Sequence, residues 1–167
     1  QANLDSQMPF LPRFGLCLPL VDAQTVHYLG QGPFENYADK LAASYRAQFS
    51  LDAGDFYEPY IKPQENGNRS QGSWLEVVQA PVLWQVQDQT PASSGLNFSL
   101  SPYSAQTLSQ TSHRDQLPEP SGYYLNLDLA QSGLGSNSCG PALPDIYRIT
   151  GPSLSCYWTM AWRPLDK

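Results

Sequence analysis

Tyr123-Tyr124-Leu125-Asn126-Leu127-Asp128-Leu129 leads through Ala130 into Gln131-Ser132-Gly133-Leu134-Gly135-Ser136-Asn137-Ser138-Cys139-Gly140-Pro141. The first stretch alternates apolar and polar residues with a period of two, the mark of a strand with one face toward a core. The second holds three glycines and three serines. It cannot sustain a helix or a regular strand interior, because glycine reaches positive φ and Asn and Ser bond their own backbone. Beyond it, Ile146-Tyr147-Arg148-Ile149 returns to alternation. A small-residue loop held between two strands is where a rigid β scaffold places function, and equally where it places a plain connection.

The rest of the composition fits strands. The chain has 167 residues, 41% of them hydrophobic, enough for a single core. Charged residues make up only 14%, against 12 glycines, 15 prolines and 12% aromatics. That mix suits many short strands joined by turns and is poor for helical bundles. The net charge is −6 with no Lys/Arg cluster, which argues against nucleic acid, whose backbone is bound through clustered cations. An anionic membrane surface is disfavoured for the same reason. The longest apolar runs, at 14–20 and 80–84, fall far short of the ~20 residues a membrane helix needs. The N-terminus lacks the basic and apolar regions of a signal peptide. The chain opens on Gln1-Ala2-Asn3 without methionine, so this says little about compartment. Cys17, Cys139 and Cys156 show no CxxC spacing. That pattern reads as a reducing compartment without structural zinc, hence a cytoplasmic location, with the periplasm as the alternative.

Along the chain, residues 1–11 read as a flexible lead-in. Strands are expected at 12–20, with Phe14, Leu16 and Leu18 on one face, and at 25–29, 43–51, 73–79, 82–87, 96–100, 123–129, 146–149 and 153–162. Gly30-Gln31-Gly32-Pro33 is expected to break regular structure completely. A short helical turn is expected within 34–42, one short helix at 104–110 and an extended run at 112–115. The stretch from Pro59 to Arg69 is polar and carries Asn66-Gly67, a tight-turn signal. Roughly ten short strands of this kind imply an all-β fold, an antiparallel β-sandwich.

Candidate chemistry is sparse. Acid/base hydrolysis of a glycoside needs two carboxyl groups about 5–10 Å apart. Glu35, Asp39, Asp55, Glu58, Glu65 and Glu76 qualify by type, but no spacing singles out a pair, and most read as turn formers or solvated groups. Glu65, beside Asn66-Gly67 and near Arg69, reads as one half of a loop-bracing ion pair. His27 reads as a core or rim histidine and His113-Arg114-Asp115 as a charge cluster on a strand. Neither histidine sits at metal-ligand spacing, and no serine has a nucleophile elbow. Gly133-Leu134-Gly135 begins like a dinucleotide fingerprint but lacks its third glycine and a following helix. Trp74, Trp84, Trp158 and Trp162 could form a sugar-stacking platform, although strand tryptophans more often fill a core. No self-contained active site emerges.

At Leu29-Gly30-Gln31-Gly32-Pro33-Phe34-Glu35-Asn36-Tyr37-Ala38-Asp39 the sequence resembles the C-terminal domain of the large bacterial β-galactosidases of glycoside hydrolase family 2. The family pattern there is Gly-x-Gly-Pro-x-Glu-Asn-Tyr-x-Asp-Arg, from which only Lys40 departs. The match continues through Tyr57-Glu58-Pro59-Tyr60, Pro63-Gln64-Glu65-Asn66-Gly67 and Thr111-Ser112-His113-Arg114. It ends at Leu125-Asn126-Leu127-Asp128 and Gly133-Leu134-Gly135-Ser136-Asn137-Ser138.

The resemblance implies that residues 12–167 form the second half of a galactose mutarotase-like super-sandwich, a partial domain. The catalytic carboxylates would lie in a barrel outside this chain. The parent's Mg and Na would lie in other domains, with no catalytic residue, metal or cofactor here. The loop at 131–141 would reach the active-site mouth, with Asn137, Ser138 and Cys139 facing the galactoside. Relatives carry tryptophan at the position of Cys139, so the position is carried over without the stacking role. The implied partners are the galactoside substrate, the remaining β-galactosidase domains and further copies in a homo-oligomer. An autonomous carbohydrate-binding module is the alternative. A mutarotase-like epimerase would require His27, His113 and Glu65 to converge.

Overall fold

A computed structural model describes residues 2–3, 10–91, 94–135, 140–150 and 153–165. In chain order the strands are β1 (Ala2–Asn3), β2 (Arg13–Leu20), β3 (Thr25–Gly32), β4 (Tyr45–Asp52), β5 (Arg69–Gly72), β6 (Trp74–Gln79) and β7 (Val82–Asp88). They continue with β8 (Leu96–Ser101), helix α1 (Ala105–Gln110), β9 (Tyr123–Gln131), β10 (Ser153–Leu154) and β11 (Trp158–Pro164). One sheet has the order β11-β7-β6-β3-β4 and the other β2-β9-β8-β5, every pairing antiparallel.

Alternation decides which side chains meet between the sheets. Val26 and Tyr28 of β3, Leu75 and Val77 of β6 and Val86 of β7 face Leu96, Phe98 and Leu100 of β8 and Leu125 and Leu127 of β9 in one buried cluster. Tyr28 and Phe98 touch edge-on with ring centroids 5.1 Å apart, and Phe56 closes the group 6.1 Å from each. Each such side chain contributes roughly 1.5–3 kcal/mol by leaving water. The expected all-β sandwich is present.

The differences from expectation are local. Gly30-Gln31-Gly32 does not interrupt β3, which pairs with β4 through Gly32↔Tyr45. A Cβ at Gly32 would meet the Tyr28 hydroxyl and come within 3.0 Å of the Phe49 ring. This glycine is there for close approach within a strand. The helical turn expected in 34–42 is a tight turn bridging Tyr37 and Lys40. Ile146 belongs to a 3-10 turn at Asp145–Tyr147, not a strand, and is 84% exposed. Arg114–Gln116 is likewise a 3-10 turn. The 153–162 run divides into β10 and β11. Leu16, expected to share an inward face, is 50% exposed at the edge strand β2. Within the expected lead-in, Ala2–Asn3 pairs with β10 and Leu11 bridges Ile149. The expected short helix forms as α1, capped by the Ser104 side chain, which accepts the Thr107 N–H at 3.0 Å.

Candidate functional site

Residues 32–40 include Glu35, Asn36, Asp39 and Lys40, and of this stretch Glu35, Asn36 and Tyr37 are buried. Asn36 shows how the cost of burying them is met. Its Nδ2 donates to the carbonyls of Gln31 and Phe34 at 3.1 and 3.0 Å, and its Oδ1 accepts from the Ser70 N–H and hydroxyl at 2.9 and 2.6 Å. Its backbone N–H donates to Asn68 O at 2.8 Å, and Asn68 Nδ2 returns a bond to Asn36 O at 2.7 Å. The 63–70 segment is thereby laced to the turn beside it. Asn66, Asn68 and Arg69 are buried rather than solvated.

Charged groups complete the lacing. Glu35 is bonded by Lys40 and the Tyr60 hydroxyl and accepts the Gly67 N–H at 2.7 Å. Burial works to raise its carboxyl, but Lys40, Tyr60 and Gly67 together pull it below the usual glutamate value. Glu65 does not pair with Arg69, as expected from their proximity in sequence. It pairs with Arg13 of β2 at 3.0 Å and accepts from the Tyr37 hydroxyl at 3.3 Å. Arg13 also forks onto Asp128 of β9, which is 2% exposed. Burial pushes both carboxyls up, and the single Arg13 charge only partly offsets it. Burial and the nearby Glu65 and Glu35 charges hold the Tyr37 phenol well above its usual value, so it serves as a donor. Arg69 instead lies 4.7 Å over the Phe56 ring and donates to the carbonyls of Gly67, Asn68 and Asp55 at 3.0, 3.4 and 3.4 Å. The oxygens of Glu35 and Glu65 are thus committed to holding chain segments together.

This assembly supports the start of the loop at 131–141. Ser132 N donates to Pro12 O at 2.9 Å and Gly133 N to Tyr147 O at 2.9 Å. Leu134 N and Gly135 N both donate to the Asp39 carboxylate, at 3.1 and 2.8 Å. The Ser132 hydroxyl donates to Leu11 O and accepts from Ile149 N. An open hollow of about 300 Å³ adjoins this stem, lined by neutral groups including Ser70, Gln71, Asn97 and Gln131 over Leu41 and Leu129.

The substrate-facing candidates Asn137, Ser138 and Cys139 lie outside the described residues. His27 pairs in register with Ser50 and Glu76, His113 contacts Asp115, and Glu65 contacts Arg13. Among the described residues no hydrogen bond or ion pair joins any two of His27, His113 and Glu65. Of the tryptophans, Trp84 and Trp158 pack against the core, while Trp162 is 65% exposed. Among the described residues no group of three or more His, Cys, Asp or Glu is arranged to hold a metal, and no helix is long and apolar enough to cross a membrane. Asp39 stood among the carboxylates that qualify by type, whereas nothing in the sequence singled out Arg13 or Asp128 as working residues. Asp128 stands at a polar position of an alternating strand, and nothing local distinguishes a buried carboxylate there from a solvated one.

Comparison with known proteins gives a consistent match. The beta galactosidase small chain family matches residues 1–160. The chain is 40% identical over 147 residues to a β-galactosidase of Staphylococcus xylosus, covering 87% of this chain and 14% of that protein. It is 37% identical over 145 residues to one of Actinobacillus pleuropneumoniae, covering 86% and 14%. It is 35% identical over 150 residues to one of Oenococcus oeni, covering 89% and 14%. The chain thus spans about 14% of the length of these relatives.

Proposed function

The chain belongs to the beta galactosidase small chain family, and from that premise we propose that it is the carbohydrate-facing sandwich of a glycoside hydrolase of family 2. The parent enzyme would hydrolyse terminal non-reducing β-D-galactosides such as lactose, with retention, through two carboxylates located outside this chain. The observation that carries this reading is the lacing of the 63–70 segment to the Gly30–Lys40 motif, whose Asp39 in turn holds the stem of the 131–141 loop. It explains why the Glu35 and Glu65 carboxylates, among the described residues, are bonded to neighbouring segments instead of standing free. These groups hold a loop for another domain instead of reacting themselves.

In this reading Asn137, Ser138 and Cys139 contact the galactoside or its aglycone. Cysteine offers a smaller, weakly polar surface than the tryptophan expected of relatives, which would bury about 1–3 kcal/mol more against a sugar ring. Magnesium and sodium would act in other domains of the parent, which would assemble as a homo-oligomer.

The test compares nitrophenyl galactoside turnover by the isolated chain with that by a full-length enzyme carrying it. Turnover is expected only from the latter, and activity of the isolated chain above background would overturn the reading. In the full-length enzyme, Cys139→Trp should lower KM and raise the transglycosylation ratio. No change in either would remove Cys139 from the substrate contacts.

A further inference from the structure

We infer that Asp39 is a positioning residue, its carboxylate setting the path of the chain through Ser132–Gly135 as it leaves β9. Four successive backbone amides, those of Ser132, Gly133, Leu134 and Gly135, are each held, by Pro12 O, Tyr147 O and the two Asp39 oxygens respectively. The first two acceptors are backbone carbonyls that any sequence would supply. The last two belong to one side chain, 95 and 96 residues away.

Asp39 can do this because its own position is over-determined. It lies in the Tyr37–Lys40 turn, closed by Tyr37 N to Lys40 O at 3.2 Å and Lys40 N to Tyr37 O at 2.8 Å. Tyr37 is fully buried and Lys40 is tied to Glu35. Gly133 completes the fit. A Cβ there would lie 2.6 Å from the Asp39 carboxylate carbon and from Oδ1, a distance no side chain tolerates. The glycine therefore lets the chain pass close enough for both following amides to reach one carboxylate. A carboxylate taking two amides binds more strongly than a neutral acceptor would, since charge-assisted bonds are roughly twice as strong.

The clamp stands on this geometry alone, whereas its consequence for sugar binding rests on the proposed function. Displacing a contact residue by about 1 Å can cost up to a hundredfold in an enzyme's efficiency. Asp39 touches no substrate in this account and acts through the loop.

The test uses Asp39→Ala, Asp39→Asn and Gly133→Ala in the full-length enzyme, read by amide hydrogen exchange and steady-state kinetics. Exchange of the peptide spanning residues 132–135 should accelerate about tenfold or more in both Asp39 variants, while peptides of β8 and β9 keep their protection. KM for nitrophenyl galactoside should rise several-fold with kcat within about twofold, as expected when uniform binding is lost. Gly133→Ala should reproduce both effects beside Asp39 and add little in the Asp39→Ala background, a coupling that keeps the proposal testable should one variant fold poorly. Unchanged exchange at 132–135, or acceleration spread equally over the core peptides, would overturn it. So would a fall in kcat with KM unmoved. If the unsubstituted enzyme turned over no galactoside but the exchange effect appeared, the clamp would stand and the galactosidase reading would fall.

Discussion

The Glu35 carboxylate accepts the Gly67 N–H at 2.7 Å, joining two segments 32 residues apart. The same carboxylate is bonded by Lys40 and Tyr60, so it links the turn after β3, which carries Asp39, to the 63–70 segment. Its carboxyl is lowered in the fold, against the pull of burial. A lowered carboxyl contributes stability that is present above its unfolded value and is lost as pH falls through the folded one. Glu35→Gln should therefore cost about 2 kcal/mol at pH 7. The difference from wild type should shrink as urea titrations are repeated toward acid pH, and a difference that does not change with pH would refute this assignment.

Glu65 should behave in the opposite sense. Burial raises its carboxyl, so the folded state holds the proton more tightly than the unfolded chain. Its favourable contribution is then present at low pH and is lost as pH rises from the ordinary glutamate value through the raised one. Relative to wild type, Glu65→Gln should gain stability across that window, as urea unfolding from acid to neutral pH would record.

Asp128→Asn should lose stability at pH 7, although burial raises its carboxyl in the same sense as that of Glu65. It leaves Arg13 with half of its fork unmatched beside a buried amide, and breaking such a pair costs about 3–5 kcal/mol when fully buried. Arg13 keeps Glu65 and is partly exposed, so the expected loss lies at the lower end, measured by urea unfolding at pH 7.

Arg69→Lys should be nearly as damaging as Arg69→Met. The guanidinium serves three carbonyls from one plane while stacking on Phe56, and an ammonium cannot reproduce that fork. Each variant should lose about 2–4 kcal/mol, visible as a lower urea midpoint with an unchanged slope.

Phe98→Ala removes the side chain between Tyr28 and Phe56 and should cost about 3–5 kcal/mol. Trp162→Ala, at a 65% exposed position of the edge strand β11, should stay within about 0.5 kcal/mol. Thermal unfolding of the two variants side by side would check the contrast.

The strand periods, and with them the sandwich, follow from alternation alone, because it assigns each side chain to a face without reference to any other part of the chain. Leu125 and Leu127 were legible as core for that reason, and the short helix near 104–110 was legible as well. The motif at 29–39 and the stretch at 133–138 were also legible as parts of one family pattern, through the resemblance. What the polar residues do is set by packing between distant segments. Glu65 has Arg69 four residues away in sequence but meets Arg13 across 52 residues, and Arg69 turns inward to backbone carbonyls instead. Asp39 reads as a turn former and becomes the anchor of a loop 95 residues distant. A charged side chain has no preferred direction in the local pattern. Its partner is chosen when distant segments pack and the buried charge must be compensated by whatever lies within reach.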